Sequence, residues 1–271
     1  MIHNVMQNYI KKFSQLKQVA VFDTSFHVNT IPEKAFRYAI PENWYEVYKV
    51  RRYGFHGTSH KYVANEAAKI LNKPIEDLKL ITAHLGHGCS IAAIKNGQSL
   101  DTSMGFSPLE GLIMGSRSGD IDPNVINYMI KNMNVDANEI IKILNGQSGF
   151  GAISGVSDSR DLEDMYFSGN EKAILAINMF CYRISKYIAS YIIPLEGLPD
   201  ALIFTAGIGE RSPLKRSLII DMLKPFQFKM NHDMNEKNHV VISDDDSSTK
   251  VFVIPTNEEL VIAQETYELV A

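Results

Sequence analysis

Two short stretches place glycine beside groups that bind or polarise phosphate. In His84-Leu85-Gly86-His87-Gly88-Cys89-Ser90, two glycines alternate with two histidines ahead of a serine. Glycine lets backbone N–H groups approach phosphate oxygens without interference from Cβ. In Ala206-Gly207-Ile208-Gly209-Glu210-Arg211, a glycine pair follows an apolar, β-prone run and precedes a helical pattern, the order of an anion-binding strand-to-helix turn. Two such loops predict two phosphate contacts. A plain turn also uses a glycine pair, so each stretch gains meaning from the other. His84 and His87 lie three residues apart in a turn with no carboxylate nearby, which argues against zinc.

The stretch Gly115-Ser116-Arg117-Ser118-Gly119-Asp120-Ile121-Asp122-Pro123 brings an arginine, two acids and two glycines to the start of a helix. An arginine flanked by small residues can reach into a cleft and offer its planar fork to a phosphoryl group; it can equally pair with Asp120 or Asp122. Asp158-Ser159-Arg160-Asp161 reads as a solvated turn or as a ligand contact. In Thr256-Asn257-Glu258-Glu259, Glu258 stands where a strand ends, a position suited to a Mg²⁺-linked carboxylate, although the same residues make a plain helix cap.

These groups need elements to hold them. Residues 18–22 are apolar and β-prone and end at Asp23, which predicts a strand delivering Asp23, Thr24, Ser25 and His27 to a loop. Ser59 is placed to cap an amphipathic helix over residues 61–71. Residues 80–84 and 90–95 read as strands, and Asn96-Gly97 marks a hairpin turn into residues 99–102. Asp122-Pro123 starts a helix reaching about Asn132, and another follows over residues 137–144. Residues 171–193 form a long helix, 201–205 a buried strand, 206–210 a tight loop, and Ser212-Pro213 opens a further helix. Residues 250–254 are a last strand and residues 258–269 a last helix. A hairpin followed by strands alternating with helices makes an α/β fold, a mixed sheet flanked by helices.

Composition limits the partners. The 271 residues are 45% hydrophobic, and 27 Lys plus Arg nearly balance 31 Asp plus Glu, so no global charge points to nucleic acid or an acidic membrane surface. The most apolar run, residues 173–193, is long enough to raise the question of a membrane span, but Arg183 and Lys186 sit in its middle, as in a buried helix with one polar stripe. The N-terminus lacks the apolar core of a signal peptide. Cys89 and Cys181 have no metal-ligand or redox spacing, and two free thiols fit a reducing, cytoplasmic setting.

The sequences FDTSFH (residues 22–27), YGFHGTSH (53–60), HLGHGCS (84–90), LDTSMGFSPLEGLIMGSRSGDIDP (100–123), FTAGIGE (204–210) and PTNEE (255–259) together resemble the signatures of the acetate kinase (acetokinase) family, in family order and near family spacing. The resemblance runs from about His3 to the end of the chain. It implies a member of the acetate and sugar kinase, Hsp70 and actin superfamily, ribonuclease H-like, with two domains around a nucleotide cleft. It further implies that most of the first domain is missing: residues 1–23 correspond to its last strand, residues 24–257 to the second, nucleotide-binding domain, and residues 258–271 to a helix returning to the first.

Carried over position by position, the resemblance implies that Asp23 is the family's essential aspartate, that His56 and Arg117 stabilise the transition state, and that Glu258 is associated with Mg²⁺. ATP or ADP would be held by His84, Leu85, Gly86, His87 and Gly88, by Asp158, Ser159 and Arg160, and by Gly207, Ile208, Gly209, Glu210 and Arg211. Phe55 and Pro108 match positions lining the pocket for the methyl group of acetate. The implied reaction is reversible phosphoryl transfer between ATP and acetate, giving acetyl phosphate and ADP, in a homodimer. His87 and Arg211 depart from the family, which usually has asparagine at both positions, and altered nucleotide affinity is the expected consequence. Propionate kinases share these motifs and are the nearest alternative; a non-catalytic nucleotide-binding module is another. The 271-residue chain alone is expected to bind nucleotide weakly and to transfer little without the missing domain.

Overall fold

The computed structural model describes residues 2–271. Five strands form one sheet: β1 (Lys79–Leu85), β2 (Cys89–Lys95), β3 (Gln98–Thr102), β4 (Ala201–Thr205) and β5 (Lys250–Val253), in the spatial order β3-β2-β1-β4-β5. β1, β2 and β3 are joined antiparallel, while β4 and β5 add parallel to the other side of β1. Asn96 and Gly97 take φ of 54° and 73°, the left-handed pair that a two-residue hairpin turn requires, so the β2–β3 turn is fixed by these residue types. The fold class agrees with the α/β mixed sheet expected from sequence.

The sheet is buried on both faces because helices cover both. On one side, Val63, Ala64 and Ala67 of the helix Gly57–Leu71 pack on Leu80, Ala92, Ile94, Ile203 and Phe252. On the other, Ile177, Phe180, Ile184 and Ile188 of the helix Glu171–Tyr191 pack with Ile81, Ala83, Ile91 and Phe204. The alternation of Leu80 and Ile81 to opposite faces is the period of two expected of a strand. Burying each such aliphatic side chain contributes about 1.5–3 kcal/mol. Arg183 does leave the apolar face of the long helix: it pairs with Asp120 at 3.3 Å and donates to the Gly111 carbonyl at 3.1 Å. No described helix is long and apolar enough to cross a membrane.

Three expectations are corrected. Residues 18–22 form no strand. They make no ladder hydrogen bonds: Gln18 Nε2 donates to the Tyr9 carbonyl and the Phe22 carbonyl accepts from the Ser25 N–H in a turn, and an apolar segment without a ladder partner has nothing to hold it extended. The tight loop at 206–210 is instead the short helix Ala206–Arg211, entered directly from β4 through Ala206 at φ 64°. The helix expected from residue 61 begins at Gly57, and Ser59 does not cap it: its N-cap is His56, and Ser59 Oγ turns inward to His84 and Thr256. The sequence also left unread the helix Ile2–Lys12 and the short helices Ser25–Val28, Glu33–Phe36, Glu42–Glu46, Gly149–Ser154 and His232–Glu236. All but the first are four to six residues long, too short to show a periodic pattern.

Candidate functional site

The candidate residues gather at the carboxyl ends of β1, β4 and β5, where open α/β sheets bind ligands. β1 delivers His84 and the glycine loop, β4 the Ala206–Arg211 helix, and β5 the segment Pro255 to Glu258. The helix Gly57–Leu71 points its start into the same region. His56, just before it, is held at φ 57°, a strained conformation for a non-glycine residue. Its backbone N–H donates to Asp23 Oδ2 at 2.8 Å, and the Gly57 N–H donates to the Asp23 carbonyl at 2.8 Å. Asp23 is therefore tied to the helix start although no strand carries it.

The imidazole of His56 stacks on that of His84, centroids 4.0 Å apart, and its Nδ1 lies 2.8 Å from Ser90 Oγ. Gly88 leaves room here, since a Cβ would stand tightly at 3.0 Å from His56 Nε2 and in contact at 3.6 Å with Arg117 Nη1. The same distances show that His56 Nε2 and Arg117 Nη1 both approach Gly88. Arg117 has no carboxylate partner among the described residues. Its Nη1 donates to the Pro108 carbonyl at 3.2 Å, while Asp120 is occupied by Arg183 and Tyr187 and Asp122 accepts from the Asn124 N–H. The salt-bridge reading of Arg117 is thus replaced by a guanidinium with donors to spare.

Behind His56 lies a cluster of buried imidazoles. His60 is fully buried between Thr82 Oγ1 and Ser90 Oγ, each 2.7 Å away. His27 contacts Ser99 Oγ at 2.8 Å and donates from Nε2 to the Phe55 carbonyl at 3.0 Å. His84 Nδ1 lies 2.8 Å from Ser59 Oγ, which is 2.8 Å from Thr256 Oγ1. Burial pushes all of them down: His27 to about 4, His84 to about 3, His60 well below its ordinary value. His56 is lowered by burial, with the Asp23 charge opposing and the Arg117 charge assisting. These rings are neutral at pH 7.

A cleft of about 440 Å³ opens beside this centre, within the range of small-ligand pockets. Gly86, His87, Asp158, Ser159, Arg160, Gly207, Ile208 and Arg211 line it, so the three stretches singled out in the sequence meet here, with His87 and Arg211 at its walls. His84, Leu85, Gly88, Gly209 and Glu210, also expected at the nucleotide, do not line it: His84 stacks on His56, Leu85 is core, and the Gly209 carbonyl accepts from the buried Arg216 at 2.8 Å. Glu210 turns to the Thr256 N–H at 3.3 Å. Sequence reading missed Gly115, Phe150, Ser157, Glu163 and Ser212 in the lining. Glu163 accepts from Ser212 Oγ at 2.6 Å and pairs with Lys215, whose side chain is buried beneath the cleft. Thr205 Oγ1, at the end of β4, is fully buried without a hydrogen-bond partner among the described residues.

Asp158 caps the helix Ser159–Phe167, which the sequence also left unread, by accepting from the Arg160 N–H at 2.8 Å, and it pairs with the Arg160 side chain at 2.7 Å, which holds its carboxyl well below the usual range. Phe55 is half-buried, and Pro108 sits on the loop that Arg117 touches. That loop is anchored from behind: Glu110 accepts from Arg52 at 2.7 Å and from Tyr38. Glu258 is half-buried, and its carboxyl is pushed up by burial and by the Asp23 charge. Two carboxylates near enough to repel each other are hard-oxygen donors suited to Mg²⁺, which takes one or two carboxylates and completes its shell with water and phosphate. No cluster of three metal-ligating side chains exists among the described residues.

A model described as the Acetokinase family matches residues 2–264. The acetate kinase of Thermoanaerobacterium thermosaccharolyticum is 54% identical over 256 residues, covering 93% of this chain and 64% of that protein. The acetate kinase of Halothermothrix orenii is 52% identical, covering 94% of this chain and 64% of that protein. Among solved structures, Porphyromonas gingivalis acetate kinase superimposes with a TM-score of 0.93 at 41% identity, covering 98% of this chain and 67% of that one. A propionate kinase from Francisella tularensis gives 0.92 at 45% identity, covering 97% and 67%. The chain thus spans 64% of the length of the curated relatives it matches.

Proposed function

Because this chain belongs to the acetokinase family, we propose that it carries the nucleotide site and the charge-stabilising groups of a Mg²⁺-dependent acetate kinase. The observation that carries the reading is the approach of His56 and an unpaired Arg117 to Gly88, in the glycine loop whose Gly86 and His87 line the cleft.

Acetate is already ionised at neutral pH, so no strong base is needed to make the nucleophile. Its oxygen attacks the γ-phosphorus of ATP in line while the bond to the β–γ bridging oxygen breaks, and ADP leaves. Negative charge spreads over the equatorial oxygens, so positioning and neutralisation supply the catalysis. Arg117 offers its free N–H donors to those oxygens. His56 faces the same point from the other side, and Asp23, fixed by the His56 N–H, orients substrate or metal rather than removing a proton. Asp23 and Glu258 would hold Mg²⁺, which when bound neutralises the phosphate charge. Gly86 and Gly207 present backbone to the phosphates, and Ser159 and Arg160 flank the nucleotide. Phe55 and Pro108 would bound the acyl group. A homodimer is in keeping with the exposed apolar row Leu175, Met179 and Tyr182 on the long helix, and a cytoplasmic setting with the two free thiols.

The likeness to a propionate kinase at 45% identity supports a second reading, with propionate as acceptor. Comparing turnover on the two acids separates them. The primary test is calorimetric titration of the 271-residue chain with Mg²⁺–ADP, followed by hydroxamate trapping of acyl phosphate with the segment that the relatives possess beyond this chain supplied in trans. Binding that is lost in a Gly207→Asp variant, and acyl phosphate formation that depends on Arg117, are expected. A chain that binds no nucleotide overturns the reading.

A further inference from the structure

We propose that Thr82, His60 and Ser90 form a buried hydrogen-bond chain that fixes the tautomer of His56, keeping its proton on Nε2, the nitrogen aimed at Gly88 and Arg117. These are positioning residues, and the proposal rests on His56 serving the phosphoryl group as described above.

The chain runs Thr82 Oγ1, His60 Nδ1 at 2.7 Å, His60 Nε2, Ser90 Oγ at 2.7 Å, and His56 Nδ1 at 2.8 Å. Neither hydroxyl has another side-chain partner among the described residues. Each hydroxyl has one proton to give, and a neutral imidazole has one N–H. Full burial keeps His60 neutral. Three proton arrangements are then available, and one of them, in which Ser90 Oγ accepts from both rings, strands the Ser90 hydroxyl proton with no acceptor among the described residues. The other two run head to tail. In one, Thr82 O–H donates to His60 Nδ1, His60 Nε2–H donates to Ser90 Oγ, and Ser90 O–H donates to His56 Nδ1. Every proton in the chain has an acceptor, and His56 must carry its own proton on Nε2. In the other, His56 Nδ1–H donates to Ser90, Ser90 to His60 Nε2, and His60 Nδ1–H to Thr82 Oγ1. That leaves the Thr82 hydroxyl proton, on a residue with no exposed surface, without an acceptor. An unsatisfied buried donor is costly, so the first of these two is selected.

The consequence is chemical. With Nε2 protonated, His56 presents a donor where negative charge grows in the transition state; with Nε2 bare, it would present a lone pair to the same oxygens. His56 Nε2 has no protein partner among the described residues and lies 3.0 Å from the position a Cβ on Gly88 would take, so this donor is free for a ligand. The selection is made three side chains away, by a threonine on β1 that never meets the substrate.

The test is ¹⁵N NMR of histidine-labelled 271-residue protein, which distinguishes protonated from bare ring nitrogens and needs no catalytic activity. His56 should show a protonated Nε2 and a bare, hydrogen-bonded Nδ1. Thr82→Val keeps the shape but removes the donor, and should give a mixture of His56 tautomers; Thr82→Ser should restore the single form. In the catalytically competent assembly, Thr82→Val should lower kcat by roughly tenfold with the ATP KM unchanged, and Thr82→Ser should recover it. Wild-type His56 with its proton on Nδ1 would overturn the proposal, a measurement that stands even if Thr82→Val fails to fold. So would a folded Thr82→Val protein with an unaltered His56 spectrum. A correct tautomer without any phosphoryl transfer would instead count against the kinase reading and leave the chain of bonds intact.

Discussion

Arg117 was ambiguous in sequence between a ligand and a salt bridge, and the tertiary structure separates the two by giving Asp120 and Asp122 other partners. Replacing Arg117 by alanine should lower kcat by about 100- to 1,000-fold with little change in the ATP KM, because its charge acts mainly as phosphoryl charge redistributes. Arg117→Lys should recover only part, since an ammonium lacks the two-pronged fork. Steady-state kinetics at saturating Mg²⁺ would measure both, and an unchanged kcat with a raised KM would reassign Arg117 to ground-state binding. Glu258 was equally open between cap and metal residue. Its helix is capped by Asn257, whose Oδ1 accepts from the Leu260 N–H at 3.1 Å, which leaves the Glu258 carboxyl free to face Asp23. Glu258→Gln should move the Mg²⁺ dependence of activity to higher concentration without unfolding, and the exposed Glu259 should tolerate the same change. A Mg²⁺ titration superimposable on that of the unaltered protein would argue against metal contact.

At the scale of elements, the glycine loop works by being empty. Gly88 leaves room for His56 and Arg117, and an added methyl would meet the imidazole at 3.0 Å. Gly88→Ala should therefore shift His56, which the stack on His84 and the bond to Ser90 otherwise hold in place. Displacement of about 1 Å can cost on the order of a hundredfold in rate. Thermal unfolding should change little, since φ at Gly88 is not in the left-handed region. A fall in kcat with an equal fall in Tm would point to general disruption instead. The Ala206–Arg211 helix is positioned from beneath by Arg216, a fully buried cation without a carboxylate partner among the described residues. Desolvation lowers it to about 10, yet it stays charged at neutral pH and binds Asn235 and the Gly209 carbonyl. Its loss would remove those bonds and leave the carbonyl unsatisfied, costing about 1–3 kcal/mol or more.

For the whole molecule, the buried histidines couple the site to stability. An unfolded chain protonates His27 and His84 near the ordinary 6.5, whereas the folded protein resists until about 4 and about 3. Between those values the unfolded state binds more protons, so stability is complete above about pH 6.5 and falls as the pH drops toward 4 and below. The His27 shift alone corresponds to roughly 3 kcal/mol. Denaturant midpoints measured from pH 7 to pH 4 should decline, and His27→Asn, which cannot titrate, should give a lower but flatter profile. A wild-type midpoint independent of pH over that window would mean that the imidazoles are not buried as described.

The sequence by itself determined the sheet and the glycine loop after β1, because their signals are local. Asn96-Gly97 dictates a hairpin, the largely apolar run of β1 dictates a strand buried on both faces, and Asn257 marks a helix start by a side-chain cap within its own turn. The motifs picked out Gly86, His87, Asp158 to Arg160, Gly207, Ile208 and Arg211 of the cleft for the same reason, since glycines and charges stand together in short stretches, but not Phe150, Ser157, Glu163 or Ser212. Only the tertiary structure decided what depends on neighbours distant in the chain. Residues 18–22 have strand composition but find no ladder partner, Ser59 has cap chemistry but is drawn inward by His84 and Thr256, and Arg117 is unpaired because Arg183, 66 residues away (183 − 117), occupies Asp120. The relay from Thr82 through His60 and Ser90 to His56 was invisible in sequence for that reason, since a hydroxyl or an imidazole has no assigned role until the fold supplies the group it faces.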